Sequence, residues 1–260
     1  MKFSIVTPSY NQGRFIRDCI ESVKAQTGVD WEHIVTDAGS TDETLAVLND
    51  YPHLKWSSAP DKGMCDGINK GFLQAAGDWV MWLNTDDYLL PDTLAKVAAH
   101  AARHPDADVI YGECLFVDEQ RRLIRHKRDH RFDLGILLLY GCYIPSTATF
   151  LKRQIVTAGQ LLDLDYKVCM DFEYYVRLAL LGYRFSFLPA ALAGFRWHES
   201  NTSTVLAARR RAERLRVQRK FLQQLGYGWL GREWMLSSLC RVFQAKRVVL
   251  RGLARLTSRA

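Results

Sequence analysis

The sequence predicts an α/β protein built on a doubly wound, mixed sheet with helices on both faces, extended at its carboxyl end by a basic helical segment. Three observations point there. Short β-branched or apolar runs alternate with amphipathic segments from Phe3 to His104, and the connections between them are short. The run "DWVMWLN" is apolar at successive positions, as a strand covered on both faces requires. Polar residues fall where the runs end, and in such sheets the carboxyl ends of the strands converge on one crevice.

The elements follow in order. "FSIVT" (residues 3–7) is a β-branched strand that enters the turn "PSYNQG". Phe15, Ile16, Cys19, Ile20 and Val23 then recur at helical spacing on one face. "WEHIVTD" (residues 31–37) is a second strand, after which Ser40 and Glu43 have capping-box spacing for a helix through Leu48. "HLKWSS" is a third strand, "CDGINKGFLQAA" a helix, and "DWVMWLN" the fourth strand, with Pro91 placed in the first turn of the next helix. Beyond Asp108 the alternation stops. "DVIYGECLFVDEQRRLIRHK" reads as a hairpin turning near residues 118–121, and "TATFLK" as a strand. "MDFEYYVRLALLGY" is a helix stopped by Gly182, and "FSFLPAALAGFRWH" reads as strand segments interrupted by Pro189. These complete one domain over residues 1–204.

Residues 205–260 have a different character. Ala208, Ala212, Leu215, Leu222 and Leu225 share one helical stripe, and a Gly-rich break at 226–231 precedes a second helix. This extension holds fourteen Lys/Arg against two acids, a net of +12, which leaves −5 on residues 1–204 of a chain whose total is +7. Two readings stay open for it. It is a solvated or packing face, or it associates with an anionic membrane surface through Trp229, Trp234, Met235 and Leu236 set among cations. Nucleic-acid binding is set aside, because no recognition module accompanies the charge.

A chain of 260 residues, 48% hydrophobic and 24% charged, is long enough for a sizeable core and too apolar for a disordered segment. No signal-peptide pattern opens it, and its longest mostly apolar run, "LGILLLYGCYIP", is too short to span a bilayer. The six cysteines lack CxxC pairing and are expected as reduced thiols. Together these predict a cytoplasmic protein, with the extension as the one device for peripheral attachment to the inner face of the membrane.

The chemistry gathers at strand ends. Asp86 and Asp87 are adjacent carboxylates that close an apolar strand. Each raises the proton affinity of the other unless a cation is present, and a divalent ion such as Mg²⁺ or Mn²⁺ resolves that conflict. A solvated cap for the helix at Pro91 is the other reading of the pair. The topology brings this strand end beside Pro8, Ser9, Tyr10 and Asp37. Asp171 and Glu173 stand at a helix start, where a carboxylate is held rigidly.

Four stretches, "SIVTPSYNQGRFI", "IVTDAGSTDETL", "DKGMCDGINKGFLQAAGDWVMWLNTDD" and "DFEYYVRLALLGY", resemble in order and spacing the family-2 glycosyltransferases, inverting enzymes of the GT-A nucleotide-sugar fold. "DKGMCDGINKG" resembles the subgroup that builds bacterial exopolysaccharide, capsule and lipopolysaccharide sugars. The resemblance covers residues 1–203. It implies metal-dependent transfer of sugar from a nucleoside-diphosphate sugar, UDP-linked, to a glycan or lipid-linked glycan acceptor. It also implies roles. Pro8, Ser9 and Tyr10 shape the base pocket, and Asp37 accepts a hydrogen bond from the base, although many relatives carry a second acid where this chain has Ala38. Asp61 and Asn69 line the nucleoside and diphosphate, with Lys70 either a phosphate contact or a surface lysine. Asp86 touches ribose or metal, Asp87 is the first ligand of Mn²⁺ or Mg²⁺, and His198 in "FRWHESNTS" stands near diphosphate and metal. Arg196 is either a phosphate contact or a surface arginine. Asp171 is the base that deprotonates the acceptor, with Glu173 second.

Two other functions fit the same pattern less well. A sugar-nucleotidyltransferase needs a Gly-rich, Lys/Arg-bearing loop for a triphosphate after its first strand, and "PSYNQGRF" offers one Gly and one Arg. A non-catalytic scaffold with this fold would act through the basic extension.

Overall fold

The computed structural model describes residues 1–199, 201 and 206–257. The boundary expected between residues 204 and 205 lies outside the described residues. Nine strands form one mixed sheet. The first half alternates β1 (Lys2–Ser9), α1 (Gly13–Lys24), β2 (Asp30–Asp37), α2 (Thr44–Asn49), β3 (Lys55–Ser58), α3 (Met64–Gln74) and β4 (Trp79–Trp82). After it come β5 (Tyr88–Leu89), α4 (Thr93–Arg103), the hairpin β6 (Val109–Val117) and β7 (Leu123–Lys127), a π-helical turn (Ile136–Tyr140), β8 (Thr149–Lys152), α5 (Arg153–Thr157), α6 (Met170–Leu180) and β9 (Phe185–Arg196). The strand order is β3-β2-β1-β4-β8-β6-β9-β5, with β7 paired to β6. The strands β3, β2, β1 and β4 run parallel, so their carboxyl ends share one edge.

The pleat divides the core between two faces. Phe3 and Ile5 of β1 and Trp79 and Met81 of β4 pack with α1 and α4 residues such as Cys19, Val23, Leu94 and Val97. Val6, Val80 and Trp82 point the other way, to Ile68 and Phe72 of α3 and to Tyr174 and Tyr175 of α6. Trp82 is fully buried and stacks on Tyr175, so its truncation to Ala removes about 3–5 kcal/mol of packing. Helix α3 lies so close to β1 that a Cβ on Gly71 would run into Val6, which explains the glycine in mid-helix.

The structure departs from the sequence expectations at three places. Helix α4 starts at Thr93, after a left-handed Asp92, so Pro91 stands before the helix rather than in its first turn. Ser40 and Glu43 do not form a capping box. Asp42 takes that place, accepting from the Thr44 N–H (3.0 Å) and the Gly13 N–H (2.9 Å), because Ser40 is drawn toward Asp37. Strand β9 continues through Pro189, whose missing N–H falls where the β6–β9 register shifts between Tyr111 and Glu113. The extension packs on the body, as one of its two readings allows. In α7 (Ala207–Gln224), Val217, Phe221 and Leu222 belong to the same core cluster as α3 and α6. A short 3₁₀ turn (Gly228–Gly231) then leads to α8 (Glu233–Thr257).

Candidate active site

A cleft of about 530 Å³ opens at the carboxyl ends of β1, β2 and β4. Pro8, Ser9, Tyr10 and Gln12 come from the turn after β1, Ala38 follows β2, and Asn84, Thr85 and Asp86 follow β4. Pro60, Asp61, Gly63 and Met64, from the loop into α3, close one side. Local chemistry sets these loops. Thr85 Oγ1 donates to the Pro8 carbonyl (2.6 Å), tying the β4 end to the β1 end. Asn11 adopts the left-handed backbone that asparagine tolerates, and its side-chain oxygen accepts from the Thr41 N–H (2.8 Å). Asp61 accepts from the Gly63 N–H (2.7 Å), where the backbone again turns left-handed.

Three buried polar atoms at this cleft, Ser9 Oγ, Gln12 Oε1 and Asn84 Oδ1, have no hydrogen-bond partner among the described residues. Leaving such a group unpaired costs about 1–3 kcal/mol, so three around one crevice make it a candidate place for a ligand to complete the pairing. Tyr10 is exposed at the rim, its ring free to lie against a flat apolar group.

The two adjacent aspartates are not equivalent. Asp86 lines the cleft, and its Oδ2 lies 2.9 Å from His198 Nε2. Asn201 holds the histidine in place, accepting from the His198 N–H (2.6 Å) and donating to the Arg196 carbonyl (3.2 Å). Asp87 is 1% exposed and turns behind the cleft, where it accepts from the Arg196 N–H (2.9 Å) and the Asn84 amide (3.4 Å). Burial, then the neighbouring Asp86 charge, pushes its carboxyl well above the usual range. Of the two, Asp86 is the carboxylate that reaches the cleft in this structure. Asp86 lines the cleft with the buried His198 behind it, while Asp87 staples β5 to β9 from behind.

Several residues expected in the site have structural partners in the protein. Asp37 is buried, and its carboxylate accepts from four donors: the N–H groups of Gly39 (3.0 Å) and Ser40 (2.9 Å), and the hydroxyls of Ser58 (2.6 Å) and Ser40. That matches the roughly four acceptor positions of a carboxylate, so in this structure Asp37 shapes the loop that presents Ala38. The Asn69 amide pairs with the Leu162 backbone in both directions (2.9 Å each) and fastens α3 to the loop before α6. Lys70 is exposed and pairs with Asp66 (3.0 Å), one helical turn away. Arg196 is not at the surface. Its buried guanidinium spans the Asp86 carbonyl (2.9 Å), the Glu119 carbonyl (2.9 Å) and the Asp18 carboxylate (2.6 Å), which locks the two sheet edges around the motif. Glu173 is fully buried between Arg177 (3.0 Å) and Lys220 (2.8 Å), so it joins α6 to α7 and is not available as a base.

Asp171 sits in the first turn of α6 and accepts from the Phe172 N–H (2.7 Å), with Cys142 Sγ at 3.6 Å from its other oxygen. Burial pushes its carboxyl up to about 6. The start of α6 adjoins the cleft rim. Cys65, next to Met64, touches Met170 Sδ (3.1 Å) and the Tyr166 carbonyl (3.2 Å), and Lys167 Nζ donates to the Lys62 carbonyl (2.7 Å).

Sequence reasoning missed Gln12 and Asn201, and placed Asn84 at the strand end without giving it a role. Asn84 directly precedes the Thr85-Asp86-Asp87 stretch, and Asn201 lies three residues after His198, so proximity to a named motif was the available signal.

The family model described as "Glycosyl transferase family 2" matches residues 4–160. A PGL/p-HBAD biosynthesis glycosyltransferase of Mycobacterium tuberculosis is 33% identical over 181 residues, covering 67% of this chain and 68% of that protein. The solved structure of Staphylococcus aureus TarS with UDP-GlcNAc superposes with a TM-score of 0.66 at 20% identity, over 85% of this chain and 72% of that one. The mannosyltransferase PcManGT of Pyrobaculum calidifontis, with GDP-Man and Mn²⁺, gives 0.65 at 17% identity over 98% and 78%. These last two show a shared GT-A fold.

Proposed function

The chain belongs to glycosyl transferase family 2, and from that premise we propose that it transfers a sugar, with inversion, from a UDP-sugar to a hydroxyl of a glycan or lipid-linked glycan in cell-surface polysaccharide synthesis. The observation that carries this reading is the set of unpartnered atoms Ser9 Oγ, Gln12 Oε1 and Asn84 Oδ1 beside the Asp86–His198 pair, all in or bordering one cleft at the strand ends. A nucleoside diphosphate offers what that cleft lacks, hydroxyls and an amide-like base edge for the polar atoms and a flat ring for Tyr10. The ligands of TarS and PcManGT support the same class of donor.

The donor set also fits a divalent ion. Asp86 Oδ2 and His198 Nε2 place a hard oxygen beside an imidazole nitrogen, a combination suited to Mn²⁺ and tolerated by Mg²⁺. Among the described residues no group of three or more His, Cys, Asp or Glu side chains forms a closed metal site. Asp86 and His198 would then hold the ion together with substrate phosphate and water, as such ions are commonly held. When bound, it neutralises charge on the departing nucleoside diphosphate.

The protein's own groups do the rest. Ser9, Gln12 and Asn84 fix the nucleoside against the strand ends, and Tyr10 covers it. Asp171 takes the proton from the acceptor hydroxyl as that oxygen bonds to the anomeric carbon and the bond to the diphosphate breaks. A carboxyl near 6 is ionised at neutral pH yet more basic than a solvated aspartate, which suits a general base. The test is release of nucleoside diphosphate from a panel of UDP- and GDP-sugars with Mn²⁺ and a polysaccharide-precursor acceptor. Acceptor-dependent release from a UDP-sugar is expected, and release from none of the panel would overturn the reading.

A further inference from the structure

The extension carries a second surface that sugar transfer does not use. Helix α8 is fixed to the body by one side. Leu236 is buried, Phe243 and Leu250 pack against the core cluster that includes the π-helical turn, and Lys246 and Arg247 pair with Asp133 and Asp129. Its opposite side is exposed and largely apolar. Trp234, Val242, Val248, Val249 and Leu253 are exposed large hydrophobics, and the helical period places them on one stripe with Ser238, Arg241, Ala245 and Gly252 between them. The stripe is about 30 Å long. At its amino end Trp229 is also exposed, beside a depression of about 540 Å³ lined by Arg219, Gln223 and Arg232.

Charge decides what covers this face. The extension has a net of +12. Its two acids already have partners within the protein: Glu213 binds Arg209 and the N–H groups of residues 167–169, and Glu233 binds Arg211. A second copy on the same stripe would bring two such extensions together with no acid between them. An anionic bilayer supplies both missing halves, an apolar layer for the stripe and phosphate headgroups for the flanking arginines. No described helix is long and apolar enough to cross a membrane, so the stripe lies along a surface.

We infer that the outer face of α8, with the Trp229–Arg232 turn, docks the protein on an anionic lipid surface, its axis in the membrane plane. The acidic body, at −5 over residues 1–204, is repelled from the same surface, so docking through α8 also orients the enzyme.

The test uses the full chain without any donor, so it is independent of the proposed transfer activity. Sedimentation is measured with vesicles of phosphatidylcholine alone and of phosphatidylcholine with phosphatidylglycerol. The expected result is partition at least about tenfold stronger on the anionic vesicles, weakening steeply with added salt. The double variant Trp234→Ala, Val249→Asp loses about tenfold or more, and Arg241→Ala about fivefold, while both melt as the wild type does because these side chains are exposed. Equal partition on the two vesicle types, or an unchanged double variant, overturns the inference. So does a vesicle-indifferent dimer in analytical ultracentrifugation that Val249→Asp dissociates, which would assign the face to a second copy.

Discussion

Two regions of this molecule bury carboxylates, and they treat them in opposite ways. At the junction of α6, α7 and α8 every buried acid is met. Glu173 lies between Arg177 and Lys220, Glu213 between Arg209 and three backbone N–H groups, and Asp129 between Lys127 and Arg247. Burial alone would raise the Glu213 carboxyl, yet the Arg209 hydrogen bond and those N–H donors hold it below the usual range. In the cleft the opposite holds. Ser9, Gln12 and Asn84 leave buried atoms unpaired, and Asp87 and Asp171 are both pushed upward by burial. Completed partnerships mark the part of the molecule that serves stability. Carboxyls held up by burial, as at Asp87 and Asp171, are the kind of group a functional site uses.

That contrast can be broken by substitution, beginning with the largest effect. Asp86→Ala should lower donor turnover by about a thousandfold, since it removes the carboxylate proposed to hold the ion, whose charge stabilisation is worth several kcal/mol. Asp87→Asn should keep the metal dependence of nucleotide binding that Asp86→Asn loses, which isothermal titration with and without Mn²⁺ would read. Asp171→Asn should reduce transfer by about 10²–10⁴ while leaving donor affinity intact. In the wild type, transfer should rise with pH through about 6 and then level off, because the base works only when ionised. The sign for stability is the reverse. A carboxyl raised on folding favours the folded state when protonated, and that contribution is lost as pH climbs through about 6.

On the other side of the comparison, Glu173→Ala should leave the donor KM unchanged and lower stability by about 3–5 kcal/mol, because Arg177 and Lys220 would lose their buried partner. A melting curve, shifted down by roughly ten degrees, checks it. Ser9→Ala should give the smallest effect and the most telling one. Removing an unpaired buried hydroxyl should raise the melting temperature slightly while weakening nucleoside diphosphate binding several-fold. A loss on both counts would mean that the hydroxyl already has a structural partner.

Much of this was legible in the residues. The alternation through β4 and the convergence of Ser9, Asp61 and Asp86 on one edge follow from strand periodicity and parallel topology, both of which are local signals. What was not legible is which way a polar side chain turns. Asp37 and Asn69 sit at motif positions, yet one is consumed by Gly39, Ser40 and Ser58 and the other by the Leu162 backbone. Gly39 and Ser40 are local, but Ser58 lies 21 residues from Asp37 and Leu162 lies 93 residues from Asn69. The same distance hid Arg196, whose buried contacts reach back to Asp18. Adjacent Asp86 and Asp87 could be recognised as a pair, but their division into a cleft-facing and a buried member depends on β9, which donates the Arg196 N–H.

The central claim is that Asp86 and His198, at the end of β4, form the protein's share of a nucleoside diphosphate–metal site. Isothermal titration of UDP into the wild type and into Asp86→Ala, each with and without Mn²⁺, tests it most directly. Mn²⁺ should tighten UDP binding to the wild type by about tenfold or more and leave the variant unaffected. Equal tightening in both proteins would contradict the account.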